Sequence, residues 1–240
     1  MDIKKLYEDK DILVIDKPSG FLVHGDGKSL DETISDWFIK NYPRSKNVGE
    51  DIVTEKGIIK RAGIVHRLDK DTSGVLILAK TQKGFSFLKN QFQDHSIKKI
   101  YNAFVYGILK IKRGIINKTI GRSDHDFRKK TTERSMRGEK RDAITNYIVL
   151  GEIPNFSFLK VIPKTGRTHQ IRVHLKSIGH PVVSDDLYGS KVKSKLGFKR
   201  TALHAKSIEF QNTEGQQIKV EAQFPDDFQK ALSKFKDLRI

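Results

Sequence analysis

The chain has 240 residues, of which 37% are hydrophobic and 31% charged, a balance that suits a globular protein and argues against a disordered or membrane-embedded one. Cysteine is absent, which excludes disulfides, iron–sulfur clusters and any enzyme that needs a thiol nucleophile or cysteine-bound zinc. Lysine and arginine (46) outnumber aspartate and glutamate (29), giving a net charge of +17, so nucleic acid is the expected partner.

The N-terminal segment MDIKKLYEDKD is charged and lacks the apolar core of a signal peptide. Apolar runs such as GVLILA are far too short to cross a bilayer. We therefore expect a cytoplasmic protein that has no membrane partner.

The start of the chain predicts two strands and a helix. Residues 11–17 and 21–24 are apolar segments that flank the turn residues Pro18–Gly20. Ser29 and Glu32 have the spacing of a capping box, which predicts that a helix begins there. The apolar face of this helix is expected to hold Leu30, Ile34, Trp37 and Phe38.

A polar loop over residues 43–62 precedes the most apolar part of the chain. Residues 75–79 are apolar on both faces, which predicts a strand buried in the middle of a sheet. Thr81 is a predicted N-cap for the next helix, and the segment 99–107 predicts a further strand. The core stripe of that helix is expected to hold Phe85, Leu88 and Phe92.

Residues 110–142 have few apolar anchors and many arginines and lysines, which predicts a basic hairpin that is mobile or contacts RNA. A helix is predicted from an N-cap at Thr168 to Gly179, and a last helix from Pro225. Further strands are expected at 143–150, 156–162, 181–184, 201–210 and 217–224. The sequence thus predicts one α+β domain over residues 1–240, with a large mixed, mostly antiparallel sheet flanked by helices.

Ionisable side chains concentrate where the chain enters the apolar strand at 75–79. Residues 66–73 are His-Arg-Leu-Asp-Lys-Asp-Thr-Ser, which places a carboxylate at Asp69. A loop held by a rigid strand is a usual mounting for catalytic groups. The alternative is an ordinary turn, in which residues 71–74 bond their own backbone.

A second polar tract, GRTHQIRVH, carries Arg167, His169 and Arg172 in the third predicted helix. At about 100° per residue the two arginines lie about 140° apart and cannot share one target. One would face a phosphate and the other a buried carboxylate, unless the tract is a solvated basic face. His169 and His174 are five residues apart, and the sequence has no His-Glu-x-x-His pattern and no Walker A loop. We therefore expect neither a metal nor a nucleotide cofactor.

Four segments, in this order, resemble the RluA-type pseudouridine synthases: HRLDKDTSGVLILAK, KKIYNAFVYG, PKTGRTHQIRVHLKSIGHPVVSDDLYG and RTALHAKSIEF. The resemblance extends from about residue 6 to residue 225 and includes LYEDKDILVIDKPSGFLVH near the start. It implies an enzyme that isomerises uridine in RNA to pseudouridine without a cofactor. The bond from ribose C1′ to uracil N1 is broken, and the base is rejoined through C5.

By this resemblance Asp69 is the essential carboxylate, attacking the sugar or stabilising the detached state. The chemistry itself favours a carboxylate, because cleavage of a glycosidic bond leaves cationic character on the sugar. The resemblance also implies that Arg67 fills the stack when the uridine flips out and that Tyr101 stacks on the uracil and assists proton removal at C5. Arg172 would pair with the aspartate, and Leu203 would form an apolar wall under the base.

Further side chains of the two tracts are expected to bind RNA: His66, Lys70, Arg167 and His169. Arg167 is also the other candidate for the arginine that pairs with the aspartate. Other roles stay open for Tyr101 as an ordinary sheet aromatic, for Leu203 as ordinary core, and for Arg67 as a surface phosphate contact.

Many relatives carry an RNA-binding module ahead of the catalytic domain, whereas this chain begins almost at once with the catalytic segment LYEDKD. We expect a monomer whose catalytic domain itself recognises structured RNA, ribosomal or transfer, and not DNA. One alternative is a catalytically silent RNA-binding or chaperone protein on the same fold, and another is a glycosylase that releases the base. The set of Asp69, Tyr101 and Arg172 argues against a silent protein. A protein that only binds RNA has no need for a carboxylate in its binding site, because the carboxylate repels phosphate.

Overall fold

The computed structural model describes residues 1–25, 31–50, 62–126, 128–132, 136–189, 196–236 and 238, and the backbone of two short strands between residues 52 and 59. The helices are α1 (Ile34–Asn41), α2 (Gln82–Gln93), α3 (Gln170–Ser177) and α4 (Asp226–Leu232). The strands are β1 (Lys5–Glu8), β2 (Ile12–Lys17), β3 (Ile52–Thr54), β4 (Gly57–Ile59), β5 (Ser73–Ala79), β6 (Lys98–Tyr106), β7 (Arg113–Asn117), β8 (Ile120–Ser123), β9 (Lys130–Thr131), β10 (Met136–Arg141), β11 (Ile144–Ile153), β12 (Phe156–Pro163), β13 (Leu203–Gln211) and β14 (Gln217–Glu221).

The chain forms two compact units, and the first comprises residues 1–98 and 205–223. Its main strands follow the order β1-β2-β5-β13, with β14 beside β13. Every residue of β5 is buried, as its apolar run predicts, because a strand covered on both faces has no polar side. Side chains of β5 and α2 pack into one core, to which Val75, Ile77, Phe85 and Leu88 contribute.

The second unit comprises residues 99–204 and 224–240. Its strands follow the order β6-β12-β11-β7, and each neighbouring pair is antiparallel. At the centre of its core the Phe104 ring lies 4.6 Å from Phe158 and 5.3 Å from Phe228, measured between ring centroids. The basic segment forms a small separate sheet in the order β10-β8-β9.

The predicted α+β class with a large mixed, mostly antiparallel sheet is confirmed. Thr81 caps α2 as predicted, since its side-chain oxygen accepts the backbone N–H of Gly84 at 3.1 Å. The last predicted helix is also present, with Pro225 as its N-cap. That the two units form one domain stays a prediction.

The predicted start of α1 is wrong. The helix begins at Ile34, and its capping box consists of Thr33 and Asp36. The Asp36 carboxylate accepts the N–H of Thr33 at 2.9 Å, and the Thr33 hydroxyl accepts the N–H of Asp36 at 3.2 Å. An aspartate replaces the usual Glu or Gln of this motif, which hid the cap from pattern matching. Ser29 and Leu30 lie outside the described residues.

Two of the predicted strands are absent, each for its own reason. Residues 21–24 form no strand, since the carbonyls of Leu22 and Val23 accept the first N–H groups of α1, each at 2.9 Å. Those N–H groups have no partner within a helix, so the preceding segment supplies one. Residues 181–184 make only an isolated bridge from Val182 to Val105, because the chain then turns at Ser184, where φ is +56°.

The predicted N-cap of α3 is also wrong, since the cap is His169 rather than Thr168. Arg167 therefore precedes the helix, and the 140° angle to Arg172 expected from a helical wheel does not apply. The predicted end is confirmed, because Gly179 follows the last turn with a φ of +84° and donates its N–H to the carbonyl of Lys176 at 2.9 Å.

Candidate active site

Asp69 lies on the loop that leads into β5. Leu68 is buried and anchors this loop, while Asp69 is half-buried and Arg67 is exposed. The backbone turns at this point, because the N–H of Thr72 donates to the Asp69 carbonyl at 3.1 Å. The loop thus contains a turn and also holds a carboxylate at the surface of the first unit.

The main chain next to Asp69 is fixed by the first strands of the same unit. The carbonyl of Lys70 accepts the N–H of Gly20 at 2.9 Å and the ammonium of Lys17 at 3.0 Å. Lys17 is fully buried and also donates to the Pro18 carbonyl at 2.8 Å. A buried cation thereby joins the DKPSG turn to the loop that carries Asp69, a role that the sequence reasoning missed. Its signal was a lysine at the end of a strand that is otherwise nearly all apolar.

The other predicted residues of this loop differ in exposure. The Nε2 of His66 accepts the N–H of Ile77 at 3.1 Å, and its ring stacks on Phe92 with 4.8 Å between centroids, so this side chain helps to hold the loop on β5 and α2. Arg67 is exposed, and its Nη1 lies 3.3 Å from Nε2 of His24. Lys70 is exposed as well. RNA binding by these residues stays a prediction.

Tyr101 and Leu203 lie in the second unit. Tyr101 is opposite Val161 in the β6–β12 pair and is half-buried against the core of that unit. Lys99 lies on the same face of the strand, and burial lowers its pKa. Leu203 is 4% exposed and belongs to the core, which fits both an apolar wall and ordinary core.

Arg172 is held by a carboxylate that the sequence reasoning did not assign. Its Nε donates to Oδ2 of Asp185 at 2.6 Å, and its Nη2 donates to Oδ1 at 2.8 Å. The carbon of its guanidinium lies 5.1 Å from the centre of the Tyr188 ring. One arginine of this tract was expected to face a buried carboxylate, and Asp185 is a buried carboxylate. The pairing of Arg172 with Asp69 stays a prediction. The signal was an acidic pair, SDD, in a segment that follows two valines.

The start of α3 is fixed by polar bonds inside the second unit. The Gln170 carbonyl oxygen accepts the Thr165 hydroxyl at 2.7 Å and the backbone N–H of Arg167 at 3.0 Å. His169 adopts a left-handed conformation with φ of +58°, and its Nδ1 lies 2.9 Å from the Tyr188 hydroxyl. The Nε of Arg167 donates to the carbonyl of Asp142 at 3.2 Å. Arg167, His169 and Arg172 thus come together around one helix start.

His174 is a buried histidine of α3. Its Nε2 lies 3.0 Å from the Lys118 carbonyl, which can only accept, so Nε2 carries the hydrogen and Nδ1 accepts from the Thr145 hydroxyl at 2.9 Å. Burial is the main cause that lowers its pKa below the usual value, and the charge of Lys118 adds to this.

We expect this histidine to make stability depend on pH. Between its lowered folded pKa and the unfolded value near 6.5, the unfolded chain binds more protons, so the stabilisation is complete above pH 6.5 and is lost as the pH falls. The loss reaches at most about 1.4 kcal/mol at pH 5.5. Thermal unfolding at pH 7.5 and 5.5 should show a larger drop for the wild type than for His174→Gln; equal drops would contradict this account.

A basic cavity of about 490 Å³ lies between the small sheet and the loop before α3. The described residues that line it include five cations and one carboxylate: Arg122, Lys130, Arg137, Arg141, Arg167 and Glu139. Burial and the neighbouring charges of Arg122 and Arg141 lower the pKa of Lys130. Repulsion between neighbouring cations has this effect, and the excess of positive charge favours an anion in the cavity.

Two other features are absent from the part of the chain that the structure describes. No helix there is long and apolar enough to cross a membrane. Among the same described residues, no three side chains of His, Asp or Glu lie close enough together to hold a metal ion.

Comparison with known proteins identifies the family. The model of the RNA pseudouridylate synthase family matches residues 11–177. The chain is 38% identical over 231 residues to ribosomal large subunit pseudouridine synthase D of Borreliella burgdorferi, covering 96% of this chain and 68% of the relative. It is 35% identical over 231 residues to the protein of that name from Zymomonas mobilis, covering 93% of this chain and 70% of the relative.

A solved structure has the same fold. Human RNA Pseudouridylate Synthase Domain Containing 1 superimposes with a TM-score of 0.76, covering 99% of this chain and 90% of the human one, at 24% sequence identity. The family model and the sequence relatives each extend over more than two thirds of the chain. The chain therefore belongs to the RNA pseudouridylate synthase family, in its RluA-type group, whose members are isomerases that act on RNA.

Proposed function

We propose that this enzyme isomerises specific uridines in structured ribosomal or transfer RNA, with Asp69 as its essential carboxylate. The observation that carries the proposal is the mounting of Asp69, which is half-buried on a loop whose neighbouring carbonyl is held by Lys17 and Gly20. A reacting group must be held within a fraction of an ångström of its productive position, and this bonding supplies such support. Cytoplasmic location and a monomeric state belong to the same proposal.

The reaction needs no group from outside the RNA and the protein. The bond from C1′ to N1 breaks, the base turns, and a bond from C1′ to C5 forms. The proton on C5 leaves to solvent and N1 gains a proton, so atoms balance and no oxidant is required. A carboxylate beside C1′ either bonds to the sugar or stabilises its cationic character while the base is detached.

The other predicted residues take roles that their chemistry allows. Arg67 is exposed on the same loop as Asp69, which supports its filling of the stack after the uridine flips out. Tyr101 is half-buried and is proposed to stack on the uracil and to assist proton removal at C5. Arg172, held charged and oriented by its bidentate pair, is proposed to serve the same reaction.

RNA recognition is assigned to the basic cavity and the small sheet β10-β8-β9. Five cations and a single carboxylate among its described lining residues favour phosphate, and exposed arginines on β8 and β10 allow approach from solvent. The two relatives are named for the large ribosomal subunit, so its RNA is the first substrate to test.

The proposal is tested by analysis of the product. Unmodified large-subunit RNA and transfer RNA are incubated with the protein and digested to nucleosides, which are separated by chromatography together with any free base. Pseudouridine formed without free uracil supports the isomerase. Free uracil would show a glycosylase, and unchanged uridine with tight binding would show a silent RNA-binding protein.

We expect charge in the basic cavity to set the salt dependence of RNA binding. The triple variant Arg122→Gln/Arg137→Gln/Arg141→Gln should bind RNA about 10–100-fold more weakly at low salt. The slope of log affinity against log salt concentration should fall by about 2, since each lost phosphate contact removes about 0.7–0.9. Filter binding over a series of salt concentrations measures both quantities.

A matched control is available in the same unit. Lys230, Lys234 and Lys236 are exposed and do not line the cavity, so changing all three to glutamine removes the same charge. This control should change the slope by less than 1, because it removes only long-range attraction. Equal changes in the two triple variants would exclude the cavity as an RNA contact and leave net charge as the cause.

A further inference from the structure

Asp185 is a carboxylate to which the reaction outlined above gives no role. Its side chain is 0% exposed, and that of Arg172 is 8% exposed. The two form parallel bonds of 2.6 and 2.8 Å, through Nε and Nη2 of the arginine. Two of the five N–H donors that a guanidinium carries make this pair.

The carboxylate of Asp185 is itself fixed by a tight turn. Its Oδ1 accepts the backbone N–H groups of Leu187 and Tyr188, each at 3.0 Å. Its backbone carbonyl accepts the N–H of Gly189 at 2.7 Å. The acceptor that holds Arg172 is therefore part of a short hydrogen-bonded loop and cannot follow the arginine if the side chain moves.

Tyr188, in the same turn, covers one face of the guanidinium at 5.1 Å. Its hydroxyl accepts the backbone N–H of Lys130 at 2.7 Å and lies 2.9 Å from Nδ1 of His169. The ring is thus held at its far end by β9 and by the cap of α3. One edge of the Arg172 guanidinium is fixed by Asp185 and one face by Tyr188.

We infer that Asp185 is a positioning residue, which holds the guanidinium of Arg172 in the orientation that the isomerisation needs. The inference rests on the proposed function, in which Arg172 serves the reaction. A long arginine side chain has many rotamers, and a fixed bidentate partner selects one of them before RNA binds. Asp185 touches neither RNA nor the reacting atoms in this role and acts only through Arg172.

A second arginine–aspartate pair of the same unit provides a matched control. Arg200 donates through Nε and Nη2 to Asp227 at 2.7 and 3.0 Å, and its guanidinium lies 5.6 Å from the Phe228 ring. This pair repeats the geometry of Arg172 and Asp185 with an aromatic ring beside the arginine. Neither Arg200 nor Asp227 has been assigned to catalysis or RNA binding.

The test is a double-variant cycle on single-turnover release of tritium from RNA labelled at uridine C5. Asp185→Asn should lower the rate about a hundredfold, as a misplaced group does, and leave the RNA dissociation constant within about threefold. Adding Asp185→Asn to Arg172→Lys should lower the rate by less than about threefold, because the positioned group is already altered. Asp227→Asn should lower the melting temperature and leave the rate within about threefold.

Each outcome decides the inference. The inference would be overturned if Asp185→Asn kept a rate near that of the wild type. It would also be overturned if the rate losses of the two single variants multiplied in the double variant, or if Asp227→Asn lost as much rate as Asp185→Asn. If Asp185→Asn does not fold, Asp185→Glu takes its place. This variant keeps the charge and moves the carboxylate by one methylene, and we expect it to lower the rate at least about tenfold. Release by the wild type supports the proposed function in the same assay, so a failed cycle then counts against Asp185 alone. An inactive wild type would overturn both.

Discussion

Replacing Asp69 with asparagine should lower turnover at least about 10³-fold, which corresponds to about 4 kcal/mol of lost transition-state stabilisation. Asparagine has nearly the same shape but is neutral and a weak nucleophile, so it can neither bond readily to C1′ nor balance positive charge there. RNA affinity should stay equal or rise, because one negative charge is removed from a site that binds phosphates. Pseudouridine formation under single-turnover conditions and filter binding measure the two effects.

Asp71→Asn is the matched control for this prediction. It makes the same change of charge two residues away, on the same loop, and asparagine retains the local hydrogen bonding of a turn residue. Turnover should fall by less than about tenfold. Retained turnover in Asp69→Asn, or equal losses in both variants, would contradict the assignment of Asp69 as the essential carboxylate.

The second large effect is expected on folding, in Gly74→Ala. Gly74 lies in β5 with a φ of +107°, and a Cβ added there would lie 2.2 Å from the backbone carbonyl oxygen of Ala205. The backbone conformation alone costs about 1–3 kcal/mol for a residue with a side chain, and the clash with a main-chain atom adds to it. We expect a loss of about 3–5 kcal/mol in the free energy of unfolding, or about 10 °C in melting temperature.

Gly20→Ala separates the two causes. Gly20 has a φ of +90°, and a Cβ added there would meet nothing within 4 Å, so this variant carries the backbone strain without the clash. Its loss should be about 1–2 kcal/mol. Thermal unfolding followed by circular dichroism compares the two variants. Equal losses of unfolding free energy would show that the clash with the Ala205 carbonyl does not destabilise the Gly74 variant. That result would contradict the close packing of Ala205 on β5.

Some elements that depend on local chemistry were predicted correctly, whereas the predicted caps of α1 and α3 were wrong. The apolar run of β5 signals burial on both faces, Thr81 supplies an oxygen to the start of α2, and Gly179 allows the left-handed turn after α3. In each case the physical cause lies within a few residues. No distant part of the chain is needed to reach the conclusion.

The two absent strands were predicted without their backbone partners, which are distant in sequence. An apolar run such as 21–24 indicates burial, but its carbonyls bond to the start of α1 rather than to a strand. Residues 181–184 lie beside β6, yet Pro181 has no N–H to donate and the turn at Ser184 ends the pairing. Periodicity carries no information about either partner.

The candidate site shows the same division. The two polar tracts marked the segments that contain Asp69 and Arg172, because charged groups beside an apolar segment are visible in sequence, and the family resemblance then named these two residues. Asp185 is 13 residues from its arginine, and their contact arises only when the turn after it folds against α3. Lys17 was missed for a similar reason, since the carbonyl of Lys70 that it binds is 53 residues away.

The most direct test of the proposed isomerisation is release of tritium to water from RNA labelled at uridine C5. Unmodified ribosomal and transfer RNA fractions are assayed separately with the wild type and with Asp69→Ala. We predict release from at least one fraction by the wild type and none by the variant, since C5 must lose its proton when the base is rejoined. Equal release by both proteins, or none by the wild type from either fraction, would contradict it.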